Sequence, residues 1–147
     1  MQTMQPTLLI GLYDWEPEKM PRAEYEDRIR DFWLRFPDRS CAGLAVYGDR
    51  RCNAELAYVS NMIPKLRDGL ALVPREGEPK MLLSGGQNAM VPAVHQTWMA
   101  VEPLGDVARD IDQWKQSVGG EVALVGIDSV RMATHKAVGG ILGDGKR

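Results

Sequence analysis

The sequence predicts an α/β domain built on a mixed β-sheet, with an antiparallel hairpin first, βα units after it and helices on both faces. Three observations predict it. Apolar residues recur at three- and four-residue steps in two stretches, Tyr25 to Phe36 and Leu104 to Trp114, the period of an amphipathic helix. Two apolar runs, 66–74 and 79–84, flank a connection containing Pro74 and Gly77, the mark of a hairpin. A continuous apolar run, V-A-L-V-G-I at 122–127, follows the second helical stretch, as a strand buried on both faces would.

Taken in order, residues 1–20 read as an irregular lead-in carrying Pro6 and Pro17, and 21–147 as one domain. Pro21 suits a first helical turn, and Glu24, Glu26 and Asp27 favour the N-terminal end of the helix that follows. Tyr25, Ile29, Phe32, Trp33 and Phe36 line its apolar face, and Pro37 ends it. G-L-A-V-Y-G at 43–48 is a strand, and Gly48-Asp49-Arg50 a turn. N-A-E-L-A-Y-V-S at 53–60, with Leu56, Tyr58 and Val59, reads as a short strand. The hairpin follows. After the loop G-G-Q-N at 85–88 comes a short helix broken near Pro92, then a strand W-M-A-V-E-P at 98–103. The helix from Leu104 is stopped by Gly119-Gly120. The apolar run 122–127 and a last helix, capped by Asp128 or Ser129, complete the pattern.

Composition narrows the function classes. A chain of 147 residues is one domain of ordinary size with room for a core. Its 44% hydrophobic and 26% charged residues exclude a disordered chain. A net charge of −2 offers no basic field for nucleic acid. No apolar run approaches the roughly 18 residues of a membrane span, and the N-terminus lacks a signal peptide's basic start, so the cytoplasm is the expected location. Cys41 and Cys52 fit neither C-x-x-C nor a zinc knuckle and are expected as free thiols. Two histidines, His95 and His135, exclude a His-rich metal site, and no H-E-x-x-H occurs.

Local motifs supply no complete catalytic set. G-x-x-x-x-G-K, from Gly140 to Lys146, is a P-loop without its hydroxyl, since Arg147 stands in that place, and without a preceding strand. A Gly-rich helix exit explains it better. Ser60, Ser84, Ser117 and Ser129 lie in no G-x-S-x-G setting. His95, after a helix break, is either a pocket base or a hydrogen-bonded surface or core residue. The G-G-Q-N loop either presents amides to an anion or is a tight strand-to-helix turn.

The order of the middle segments adds a resemblance. V-Y-G-D-R-R-C-N-A-E-L-A-Y-V-S-N, followed by L-R-D-G-L-A-L-V-P-R-E-G-E-P-K-M-L-L, resembles the N-terminal domain of the creatinase, prolidase and aminopeptidase P metallohydrolases. Asn53 and Tyr58-Val59-Ser60 resemble the family's N-x-x-Y-x-S/T-G segment, with four residues between Asn and Tyr and with Asn61 where Gly is usual; Gly69 to Leu83 match its hairpin and Gly85-Gly86-Gln87 its Gly-Gly-Gln turn. The resemblance covers roughly residues 22–143. It implies a creatinase/prolidase N-terminal-domain-like fold and a non-catalytic role. No cofactor is implied in this chain; a pair of divalent metals (Mn, Co or Zn) is expected in a following catalytic domain. G-G-I-L-G-D-G-K-R then reads as a cut between domains. The implied partners are that C-terminal domain and a second protomer in a homodimer, and the implied substrate a peptide or small amide. Tyr58, Asn61, Arg67 and His95 become candidates for shaping substrate access: Arg67 as a bidentate donor to a carboxylate or a surface arginine beside Asp68, Tyr58 as a pocket wall or a core ring. The alternative is a stand-alone α/β module that binds a small ligand or another protein.

Overall fold

The computed structural model describes residues 14–36, 38, 40–65, 68–127, 130 and 132–142. Ten elements follow one another: α1 (Arg22–Arg35), β1 (Cys41–Asp49), α2 (Ala54–Ser60), β2 (Asp68–Pro74), β3 (Lys80–Leu83), α3 (Gln87–Ala93), β4 (Ala100–Pro103), α4 (Val107–Val118), β5 (Glu121–Val125) and α5 (Met132–Leu142). The strands form one five-stranded sheet in the order β4-β3-β2-β1-β5. β1, β2 and β3 pair antiparallel, while β4 runs parallel to β3 and β5 parallel to β1. This is the mixed α/β sheet that the sequence predicts.

Alternation along the strands sorts the core into two layers. Leu44, Val46, Ala71, Val73, Met81 and Leu83 face one side, where Tyr25 of α1, Leu56 and Val59 of α2 and Ala93 of α3 cover them. Ala45, Tyr47, Leu70, Leu72 and Leu82 face the other, under Val107, Ala108, Ile111 and Trp114 of α4 and Val138 of α5. The register explains why neither layer mixes with the other. Val46 sits opposite Ala71 and Tyr47 opposite Leu70, so like faces meet across every pair.

Two elements depart from the sequence reading. Residues 54–60 form a helix, not a short strand. Leu56, Val59 and Ser60 are its buried residues, spaced three and four apart, while Tyr58 points outward. Seven residues carry too few repeats to separate that period from alternation, and Ala54, Glu55 and Ala57 then favour the helix. Asp49 starts it: its carboxylate accepts from the amides of Arg51 and Cys52 at 2.7 and 2.8 Å, turning the chain out of β1. β5 is the second departure. It lies at the sheet edge, with Val122 buried and Ala123, Leu124 and Val125 half-buried. Its side chains pack on both layers, which accounts for the unbroken apolar run, but among the described residues only β1 pairs with it.

Other boundaries shift less. Pro21 is the residue before α1 and not its first turn. α4 begins at Val107, where the Asp106 carboxylate accepts from the Arg109 amide at 2.9 Å, and ends at Gly119 with φ 69°. Pro92 lies inside α3, in its final turn. The residues expected to end α1 and to cap α5, Pro37 and Asp128 or Ser129, lie outside the described residues.

The α4 face sits tightly on the sheet. A Cβ built on Gly43 would overlap Cη2 of Trp114 and lie 2.9 Å from its Cζ2. Gly43→Ala is therefore expected to cost about 1–3 kcal/mol through displacement of the indole. A fall in the denaturant midpoint at unchanged slope is the measurement that checks it.

Candidate functional site

The segment singled out in the sequence, Tyr58-Val59-Ser60-Asn61, is the C-terminal end of α2. A helix end leaves its last four carbonyls without intrahelical partners. Here each has one. The Ala57 carbonyl accepts from the Asn61 amide at 2.8 Å. The Tyr58 carbonyl accepts from Arg28 Nη1 at 2.9 Å, that of Val59 from Trp98 Nε1 at 3.1 Å, and that of Ser60 from Thr97 Oγ1 at 2.6 Å. Three of the four donors are side chains from α1 and from the segment entering β4. Inside the helix end, Ser60 Oγ donates to the Leu56 carbonyl at 2.6 Å and accepts from the Met62 amide at 3.1 Å.

Asn61 adopts φ 62° and ψ 4°, the left-handed conformation that glycine enters most freely. That explains how Asn61 stands where Gly is usual: asparagine is the side chain that best tolerates this region. Its amide also has partners. Tyr25 Oη donates to Asn61 Oδ1 at 3.1 Å, and Asn61 Nδ2 donates to the Gln96 carbonyl at 3.0 Å. Burial raises the Tyr25 pKa above its ordinary 10.0, and the neighbouring Arg28 opposes this more weakly. The side chain is thus a phenol throughout the neutral range. Stability from this shift is present below pH 10 and lost only as pH rises through the raised value.

Aromatic and cationic side chains surround this knot. The rings of Tyr25 and Trp98 stack with centroids 6.1 Å apart. Arg28 lies between Tyr25 and Tyr58, its guanidinium carbon 5.1 and 4.6 Å from the two ring centroids. Tyr58 is exposed, so it is not a core ring. Beyond Trp98 an open groove of about 640 Å³ continues, lined among others by Arg22, Trp33, Leu34, Phe36 and Arg75. Arg22 stands 5.2 Å from the Trp98 ring and Arg75 4.4 Å from the Trp33 ring.

The structure thus brings Tyr58 and Asn61 together, and ties Asn61 to the residue after His95. His95 itself is exposed; its backbone amide donates to the Pro92 carbonyl and its carbonyl accepts from the Trp15 amide at 2.8 Å. Arg67 lies outside the described residues. Sequence reasoning missed Tyr25, Arg28, Gln96, Thr97 and Trp98. The one signal available was Gln96-Thr97, a polar pair at the mouth of a strand, and both prove buried. The Gly-Gly-Gln stretch is a tight turn, with Gly85 at φ 117° and Gly86 at φ 64°, and α3 begins at Gln87.

The chemistry on offer is holding and orienting: one exposed phenol, hydrogen-bonded amides and stacked guanidinium groups. Among the described residues no three His, Cys, Asp or Glu side chains gather where they could hold a metal ion. No helix among them is long and apolar enough to cross a membrane.

No protein-family model and no curated protein sequence matches the chain. Solved structures do. A Xaa-Pro dipeptidase from Bacillus anthracis superposes with a TM-score of 0.57 at 10% identity, over 82% of this chain and 31% of that one. An X-Pro aminopeptidase from Thermotoga maritima superposes with a TM-score of 0.51 at 19% identity, over 74% of this chain and 32% of that one. The chain spans about a third of the length of each. With its mixed sheet and two helical layers, it carries the fold of a creatinase/prolidase N-terminal domain.

Proposed function

We propose that the chain is a non-catalytic N-terminal domain of a metal-dependent, Xaa-Pro peptidase-like hydrolase. In this reading it contributes to a homodimer and shapes how a peptide or small amide reaches a metal pair (Mn, Co or Zn) carried by a C-terminal domain. A metal pair supplies a hydroxide and Lewis acidity but cannot by itself select substrate ends; a neighbouring domain can, by limiting length and binding a terminal charge. Tyr58, Asn61, Arg67 and His95 are the side chains proposed for that role, in a cytoplasmic protein.

The observation that carries the reading is the superposition itself: most of this chain matches about a third of two Xaa-Pro peptidases. The test is to read the coding frame around residues 1–147. Continuation into a segment with two Asp, two Glu and one His, and metal-dependent cleavage of Xaa-Pro dipeptides by the whole product, would support the proposal. A stop directly after Arg147 would overturn it in favour of a stand-alone ligand-binding or interaction module. The 147-residue chain alone is expected to bind no stoichiometric Mn²⁺, Co²⁺ or Zn²⁺; a one-to-one isotherm by titration calorimetry would contradict this.

A further inference from the structure

We infer that Asn61 is the joint that makes the end of α2 and the segment 95–98 a single body, so that the exposed Tyr58 and His95 are carried on one preformed support. Its purpose rests on the access role proposed above; the coupling is a property of this chain and is tested without any substrate.

Among the described residues Asn61 is the one non-glycine with a positive φ. A glycine would satisfy the backbone at lower cost. What asparagine adds is the amide, and both of its ends are engaged, each across some 35 residues of sequence: Oδ1 by Tyr25, Nδ2 on the Gln96 carbonyl. The contacts close on themselves. Tyr25 stacks on Trp98, and the Trp98 indole returns to the Val59 carbonyl, two residues before Asn61. The Thr97 hydroxyl bonds the Ser60 carbonyl and also accepts from the Met99 amide at 3.2 Å, fixing the strand side of the same ring. Opening one side of such a ring exposes the groups on the others, so local opening is shared and not independent. A plain helix cap would behave differently, because its backbone turn would suffice without the side chain.

Hydrogen exchange followed by mass spectrometry on Asn61→Gly, Tyr25→Phe and the double variant tests this on the 147-residue chain. Asn61→Gly keeps the left-handed backbone and removes the two side-chain bonds. Peptides covering 57–65 and 94–99 are then both expected to exchange about tenfold faster, with β2 and α4 unchanged, because a net hydrogen bond shifts a local equilibrium by about that factor. Tyr25→Phe removes one hydroxyl and is expected to quicken the same two segments by about threefold to tenfold. It keeps the test open if the glycine variant fails to fold. The double variant is expected to match Asn61→Gly alone, because both remove the same bond. Acceleration confined to 57–65 with 94–99 as in the wild type, or no acceleration in either, would overturn the inference. Its failure would leave the access role standing, since that role is decided by the coding frame and by peptidase activity.

Discussion

Replacing Gly126 with alanine is expected to lower the unfolding free energy by about 3–5 kcal/mol. Two costs combine. Gly126 has φ 78°, where an L side chain meets the following carbonyl and loses about 1–2 kcal/mol. Its added Cβ would also overlap the carbonyl oxygen of Tyr47 and lie 3.2 Å from the carbonyl carbon. That neighbour is main chain and cannot rotate aside. It belongs to β1, which pairs with β2 on one side and β5 on the other, with Val46 registered against both Ala71 and Val125. Shifting it disturbs two ladders at once.

Gly119→Ala is the control. Gly119 is left-handed too, at φ 69°, but a Cβ there meets nothing within 4 Å. It is expected to cost only the conformational part, about 1–2 kcal/mol. Denaturant titration of both variants separates the terms. Equal losses would show that the Tyr47 contact relaxes away and that only backbone conformation matters.

These glycines show where sequence was informative. Gly119 stands at the end of a clear amphipathic repeat, so its helix-ending role was legible from residues 104–118 alone. Gly126 sits inside an apolar run, and its need arises from a strand some eighty residues earlier, which no local pattern reports. The hairpin was readable for the same reason as α4: both strands and their Pro–Gly connection lie within one short window. α2 was not, because three apolar residues in seven fit either period. β5 read as a strand buried on both faces because its side chains pack on both layers; its edge position depends on strand order, which composition does not encode. At the site, the Tyr58–Asn61 segment was found through resemblance, and the anomaly of Asn61 had a backbone cause. Its partners Tyr25, Arg28, Thr97 and Trp98 were invisible, since the bonds that join them cross some 30 to 39 residues of sequence.

Trp98→Ala is expected to cost about 3–5 kcal/mol, and Trp98→Phe only about 1–2 kcal/mol. The indole is 9% exposed and packs in the layer of Tyr25 of α1 and Leu56 and Val59 of α2, so truncation leaves a cavity in that layer. Phenylalanine fills most of that space and preserves a ring against Tyr25. What it removes is the Nε1 donor, leaving the Val59 carbonyl at the end of α2 without its partner. The pair of variants therefore separates filling the layer from capping the helix. If both cost the same, the hydrogen bond and not burial anchors the segment. Alanine should also act beyond stability, because Trp98 forms one wall of the groove and one side of the ring of contacts around Asn61. Loss of the ring frees Arg22 from its stacked position and takes the partner from Tyr25, and the surface that carries Tyr58 loses its support from the β4 side. On the access role proposed above, Trp98→Ala is expected to raise KM for a Xaa-Pro substrate more than it lowers kcat, since the loss concerns substrate access and not the reacting atoms. A pure kcat effect would contradict that access role for Trp98.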